Sequence, residues 1–261
     1  QTDTEGLKLP VVYESSPYYA GTAGFAEGLF WNVKQELGET PKPRTHVEVQ
    51  RRGKRPIISN SQIRTWVPRG YIVVHSSSPG TGLSDGSPKV GGKNESLAPK
   101  AVIDWLCGRA KGFKSRTGSE VVNAFWSTGK VGMTGTSYNG TIPLAAATTG
   151  VKGLEAIIPI APNTSYYHYY RSNGLVRSPG GYLGEDIDVL YDFIHSGGED
   201  LIPNPNYLKD TKGSKKFIRK RDYNNAKVRD TEMAKGMDRA TGDYNDFWAG
   251  RDYLNQMKPM K

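Results

Sequence analysis

A serine among small residues, Gly135-Thr136-Ser137-Tyr138-Asn139-Gly140, is the stretch best suited to covalent chemistry. Upstream, Val131 to Thr134 is short, partly apolar and β-branched, as an inner strand should be. Downstream, Thr141-Ile142-Pro143-Leu144-Ala145-Ala146-Ala147 reads as a helix, with Pro143 tolerable only in its first turn. A serine on the corner between them lifts its hydroxyl above the sheet. The amides that open the helix point the same way and favour a developing oxyanion. That is the logic of a nucleophile elbow. The usual spelling, G-x-S-x-G, would put glycine where Asn139 stands; here the second glycine is Gly140. The same composition also suits an ordinary strand-to-helix turn, and the pattern alone does not separate the two.

The elements around the serine must position it. Leu7 to Glu14 reads as a strand, followed by the loop Ser15-Ser16-Pro17-Tyr18-Tyr19. Gly21 to Thr65 shows little periodicity and reads as a long excursion, with one short element near Phe30 to Val33 and a solvated histidine, His46. Tyr71 to His75 is a buried strand, and Leu97 to Leu106 a helix. Gly108 to Gly118 is a basic loop that leads through Val121 to Trp126 into the serine strand. Leu154 to Ala161 is the next buried strand. This order of strand, helix, strand, serine turn and helix predicts an α/β fold with a parallel sheet.

Composition narrows the function classes. The chain has 261 residues and is rich in loops, with 31 glycines and 16 prolines. The formal net charge is +9, concentrated at Arg51 to Arg55 and Lys209 to Arg229. There is no nucleic-acid motif and no zinc spacing, so solvated basic loops are expected and neither nucleic acid nor metal is. No run of about eighteen apolar residues exists, so no transmembrane helix is expected. Cys107 is the only cysteine and reads as an inert thiol on a helix. The loop Ser76 to Gly86 is rich in glycine but lacks the Gly-Lys-Ser/Thr ending of a phosphate cradle.

Longer segments carry more information. Gly132 to Gly140 continues into Ala145-Ala146-Ala147-Thr148-Thr149-Gly150-Val151-Lys152-Gly153-Leu154-Glu155. Further on come Tyr169-Tyr170-Arg171-Ser172-Asn173-Gly174-Leu175-Val176 and Gly180-Gly181-Tyr182-Leu183-Gly184-Glu185-Asp186. Together these resemble the Xaa-Pro dipeptidyl-peptidase family of serine hydrolases, whose wider group includes cocaine esterase and the α-amino acid ester hydrolases. The resemblance runs from about Val11 to the C-terminus and is most specific from Lys130 to Leu190.

It implies an α/β-hydrolase core with an inserted helical cap, without a cofactor. The core would span 1–186, the cap 187–241 and a return towards the core 242–261. Ser137 would be the nucleophile, in an elbow of the same G-x-S-Y-x-G form. The Tyr138 amide and the Tyr18 hydroxyl, in a matching Pro-Tyr, would hold the oxyanion. Tyr166 and Tyr169, within Tyr166-Tyr167-His168-Tyr169-Tyr170, would help to form a pocket for proline, with His168 packed among them. Relatives often carry Trp where Tyr166 stands. Glu185, with Asp186, would bind the free α-amine of a peptide whose second residue is proline. Read without the resemblance, the same acids simply favour a helix N-terminus. The resemblance favours a secreted bacterial protein over a cytoplasmic one.

On such a fold the acid and the histidine follow the serine. In the family both lie after the cap, so the expectation is a core incomplete at both ends, its remainder on another chain or further polypeptide. Asp192 and His195 follow Ser137 in the right order but sit together at one helix end, an unpromising internal pair. An esterase or acylase of the same superfamily, or a non-catalytic fragment, are the rival readings.

Overall fold

A computed structural model describes residues 6–19, 22–23, 49–50, 59–81, 84–172, 174–176, 186–194, 201–203, 215–219 and 223–257. Its centre is a parallel sheet of β1 (Leu9–Ser16), β4 (Ile72–Ser77), β7 (Ser127–Thr136) and β8 (Leu154–Ile160), in the order β4-β1-β7-β8. Two-residue ladders pair β2 (Thr22–Ala23) with β3 (Val49–Gln50) and β5 (Gly112–Phe113) with β6 (Val121–Val122). A further pair joins β9 (Leu201–Pro203) and β10 (Phe217–Arg219). The expected α/β class and parallel sheet are therefore present.

The α-helices around the sheet include α1 (Asn60–Trp66), α2 (Lys93–Leu106), α3 (Tyr138–Ala147), α4 (Tyr166–Arg171) and α5 (Ile187–Ile194). Most of α3 is buried, which an all-round apolar run such as Ile142 to Ala147 requires. It packs on β7 and β8 with α2 alongside. Val11, Tyr13, Val131 and Met133 supply the sheet side of that core. The other face is less covered. Ile158 and Ile160, on β8 at the end of the sheet, are 53% and 49% exposed.

The topology fixes where chemistry can occur. β1 continues to β4 on one side, whereas β7 continues through α3 to β8 on the other. The loops leaving the adjacent strands β1 and β7 thus diverge, and a crevice opens at their carboxyl ends. Tyr18 follows β1 and Ser137 follows β7.

Several details differ from the sequence reading. α3 begins at Tyr138, so Pro143 lies in its second turn. The missing proline N–H would have bonded the Asn139 carbonyl, which instead sits tightly against Gly135. Val121 to Trp126 forms only the short β6, and the preceding loop supplies its partner β5. Asn225–Met233, in the basic stretch near Lys227, forms a helix with π-type turns that buries Val228 and Met233. Those two join the same hydrophobic cluster as Tyr138, Ile142, Tyr191 and Trp248. Phe30 to Val33 and His46 lie outside the described residues. Among the described residues no helix is long and apolar enough to cross a membrane, and no cluster of metal-binding side chains occurs.

Candidate active site

Ser137 stands between β7 and α3 with φ 64° and ψ −125°. A non-glycine residue rarely adopts this backbone, and holding it there costs on the order of 1–3 kcal/mol. The turn is held from several sides. The Ser137 N–H donates to the Ile160 carbonyl at 2.9 Å, and the Gly140 and Thr141 N–H groups donate back to the Ser137 carbonyl at 2.9 and 3.0 Å. Both glycines are there for space. A Cβ on Gly135 would lie 2.5 Å from the Asn139 carbonyl oxygen, and one on Gly140 would lie 2.7 Å from that of Ile160. Gly140 thus makes the close approach to the neighbouring strand end, and Asn139 is free to carry a side chain. Ser137 itself is exposed.

Tyr18 reaches this corner from the loop after β1. Burial pushes its phenol up, while contact with the Ser137 hydroxyl and the Tyr138 backbone amide pulls the other way. The phenol therefore stays protonated, as a donor must. Its ring stands edge-on to Tyr138 at 6.2 Å and to Phe193 of α5 at 6.3 Å. The Tyr18 N–H donates to Ser16 Oγ at 3.0 Å, which fixes the loop as it leaves the strand. The elbow serine, the first amide of α3 and the tyrosine expected from the sequence are thus brought together.

Beneath the elbow lies a polar cluster that the sequence did not announce. The Tyr138 hydroxyl donates to Glu95 of α2, and the Gly91 N–H donates to the same carboxyl oxygen at 2.8 Å. Glu95 is 2% exposed. Burial raises its pKa, opposed by the Tyr138 and Gly91 hydrogen bonds and by the charge of Arg251. Arg251 donates to the carbonyls of Lys89, Val90 and Phe247 at 2.7–2.8 Å, so the far end of the chain ties down the loop before α2. The Tyr253 hydroxyl donates to the Gly91 carbonyl at 3.2 Å. The sequence reading begins this helix at Leu97, after Glu95, whereas α2 starts at Lys93 and carries Glu95 in its first turn.

The other expected site residues are placed unevenly. Tyr166 is 1% exposed, stacked on Tyr170 and packed against Tyr138 and Tyr253, so it supports the site from behind and is not an open pocket wall. Tyr169 is 44% exposed and close enough to Tyr18 to influence its phenol. His168 is exposed, not packed as expected, because the short helix α4 turns it away from the buried Tyr166 and Tyr170. Asp186 is also corrected as a direct amine contact. It is 1% exposed, pairs with Arg171 at 2.7 Å and Arg239 at 2.9 Å, and accepts from the Ile187 N–H at 2.7 Å. Glu185 lies outside the described residues.

Two histidine readings can be placed. His75 lies beside Glu14 on the neighbouring strand, with Nε2 3.8 Å from the carboxyl, and burial lowers its pKa. This setting is that of a structural histidine. Asp192 pairs with Arg229 at 3.0 Å, and His195 lies outside the described residues. The Cys107 thiol donates to the Gly129 carbonyl at 3.2 Å, in keeping with a structural role.

Comparison with known proteins identifies the family. The family profile described as "X-Pro dipeptidyl-peptidase (S15 family)" matches residues 3–261. A Rhodopirellula baltica protein, provisionally named an Xaa-Pro dipeptidyl-peptidase, is 63% identical over 262 residues that cover 100% of this chain and 39% of that protein. A Bacillus anthracis protein with the same provisional name is 42% identical, covering 100% of this chain and 37% of its own length. An Xaa-Pro dipeptidyl-peptidase of Ligilactobacillus salivarius is 36% identical, covering 98% and 33%. The chain thus spans about a third to two fifths of these relatives' length. Among solved structures, an aminopeptidase from a marine-sediment Thaumarchaeota archaeon superposes with a TM-score of 0.50 at 17% identity, covering 96% of this chain and 36% of that one. An α-amino acid ester hydrolase gives 0.47 at 19% identity, covering 97% and 36%. These last two are likenesses of fold alone. With the profile matching nearly its whole length, the chain belongs to the X-Pro dipeptidyl-peptidase (S15) family.

Proposed function

We propose that this chain carries the nucleophile and oxyanion hole of a serine exopeptidase that releases Xaa-Pro dipeptides from peptide N-termini. The observation that supports it most is the convergence at one strand end of strained Ser137, the Tyr138 amide and the Tyr18 phenol. Ser137 Oγ attacks the carbonyl carbon that follows proline and gives its proton to a general base. The new oxyanion accepts from the Tyr138 N–H and the Tyr18 O–H. Collapse expels the amine of the remaining peptide, and water then releases the dipeptide from the ester. The base and its carboxylate come from outside the described residues.

In this reading Glu185 holds the substrate α-amine, a charge-assisted contact that makes cleavage depend on a free N-terminus. Asp186 cannot share the task directly, since Arg171 and Arg239 occupy it. Tyr169 offers the exposed aromatic face for proline, and Tyr166 sets its backing.

The test uses the full coding sequence that contains this chain. Gly-Pro-4-nitroanilide should release chromophore, Ser137→Ala should abolish it, and Tyr18→Phe should lower kcat by about 10²–10³. Equal rates on N-acetylated substrate would sink the exopeptidase reading in favour of an acylase or esterase.

A further inference from the structure

The two oxyanion donors come from segments 120 residues apart in sequence, Tyr18 after β1 and Tyr138 at the start of α3. Their catalytic value depends on spacing held to fractions of an ångström. Something must join the two segments.

Glu14 of β1 stands between them. The Asn139 side-chain amide donates to Glu14 Oε1 at 2.8 Å. Asn139 directly follows Tyr138. On the β1 side Tyr19, which directly follows Tyr18, is buried beside the same carboxyl group, but neither its hydroxyl nor Glu14 Oε2 makes a hydrogen bond among the described residues. Glu14 is 4% exposed and Tyr19 6% exposed, so water does not compete freely for either. The Tyr19 ring is set edge-on against His75 at 5.5 Å, which limits its movement. The elbow is therefore tied by a hydrogen bond to β1, the strand whose end leads into Tyr18.

We propose that Glu14 is a positioning residue that fixes the spacing of the oxyanion hole, tying the elbow through Asn139 to β1, the strand that leads into the Tyr18 loop. This explains why an asparagine stands where the common elbow spelling has glycine. Gly140 has taken over the close approach, and position 139 supplies a donor aimed at β1. The inference rests on Ser137 being the nucleophile and goes beyond it, since neither Glu14 nor Asn139 touches substrate.

The experiment uses the full coding sequence with two readouts, kcat and KM for Gly-Pro-4-nitroanilide and the rate of Ser137 labelling by a fluorophosphonate. Glu14→Ala should lower both kcat and the labelling rate about tenfold or more, with KM within about twofold. Glu14→Gln keeps an acceptor oxygen and should recover most of the loss. Asn139→Ala should show a smaller loss of the same kind, and Asn139→Gly, which restores the common spelling and spares the turn, should match it. Unchanged kcat and labelling in Glu14→Ala, or losses in Glu14→Gln as large as in Glu14→Ala, would overturn the proposal. A wild type that is labelled at Ser137 but leaves Gly-Pro-4-nitroanilide intact would refute the peptidase reading alone, and the labelling rates would still decide the role of Glu14. A wild type that is not labelled at Ser137 would overturn both.

Discussion

Two of the buried carboxyl groups, Asp186 and Glu95, are treated in opposite ways. Asp186 is met by Arg171 and Arg239, with the Arg171 guanidinium also lying over the Trp248 ring at 4.6 Å. Glu95 is met by a phenol and a backbone amide, with Arg251 acting only through its field. Arginine is the better choice where geometry must be locked, because its fork binds carboxylate and carbonyl at once. Arg171 does so, donating also to the Met237 carbonyl and thereby joining α4, α5 and the segment after Met233. A neutral partner is the better choice where a nearby group must remain a donor. A cation against Glu95 would compete with Tyr138, the residue proposed to offer its amide to the oxyanion. One carboxyl group ties α4 and α5 to the segment after Met233, and the other steadies the elbow.

The largest effect should come from breaking the arginine side. Arg171→Met leaves Asp186 buried with a single cationic partner, one that is 45% exposed at its side chain, and should cost about 3–5 kcal/mol in denaturant unfolding. Adding Asp186→Leu should restore most of it, because the stranded charge is gone. A double variant as unstable as the single would mean that packing around Trp248, not charge, carries the effect.

On the Glu95 side the expected signature is a slope against pH, not a large loss. Its folded-state pKa lies above the ordinary 4.5, so the folded protein favours the protonated acid. That contribution is complete below the unfolded value and is lost as pH rises through the folded one. Unfolding free energy should therefore decline with pH above about 4.5 from this group, and Glu95→Gln should flatten the decline. Tyr138→Phe should cost about 1–3 kcal/mol by stranding the buried carboxyl group, and less in the Glu95→Gln background. A wild-type profile as flat as that of Glu95→Gln would remove the contrast with Asp186.

The smallest effect should come from Arg239→Ala. Its ion pairs to Asp186 and Asp188 are short, at 2.9 and 2.8 Å, but its side chain is 45% exposed. Solvent screening should hold the loss to under about 1 kcal/mol. A loss equal to that of Arg171→Met would show that the exposed and buried arginines work as one unit.

How much of this could be read in the sequence depended on range. The strands, α3 and the serine corner are local patterns of apolar and small residues, and they were legible. Tyr18 was legible only through resemblance, since a Pro-Tyr in a loop has no signature of its own. Glu95 and Glu14 were not legible. Their partners lie 43 and 125 residues away, and a single carboxylate in a strand or a first helical turn has ordinary explanations. Asp186 was read as a substrate contact because Arg171 and Arg239 reach it from segments whose approach only the fold reveals. His168 was misread for the same reason, since an aromatic run looks packed until the helix shows which side is buried.

The backbone at Ser137 has a consequence for how such a site is kept through evolution. At φ 64° and ψ −125° glycine is the residue at ease, and any side chain there is held against a gradient. Drift to glycine would leave the fold sturdier and the hydroxyl gone. A lineage released from the need to cleave would find that exit open at this codon before most others. A side chain that persists at such a position marks a history in which chemistry kept outweighing stability.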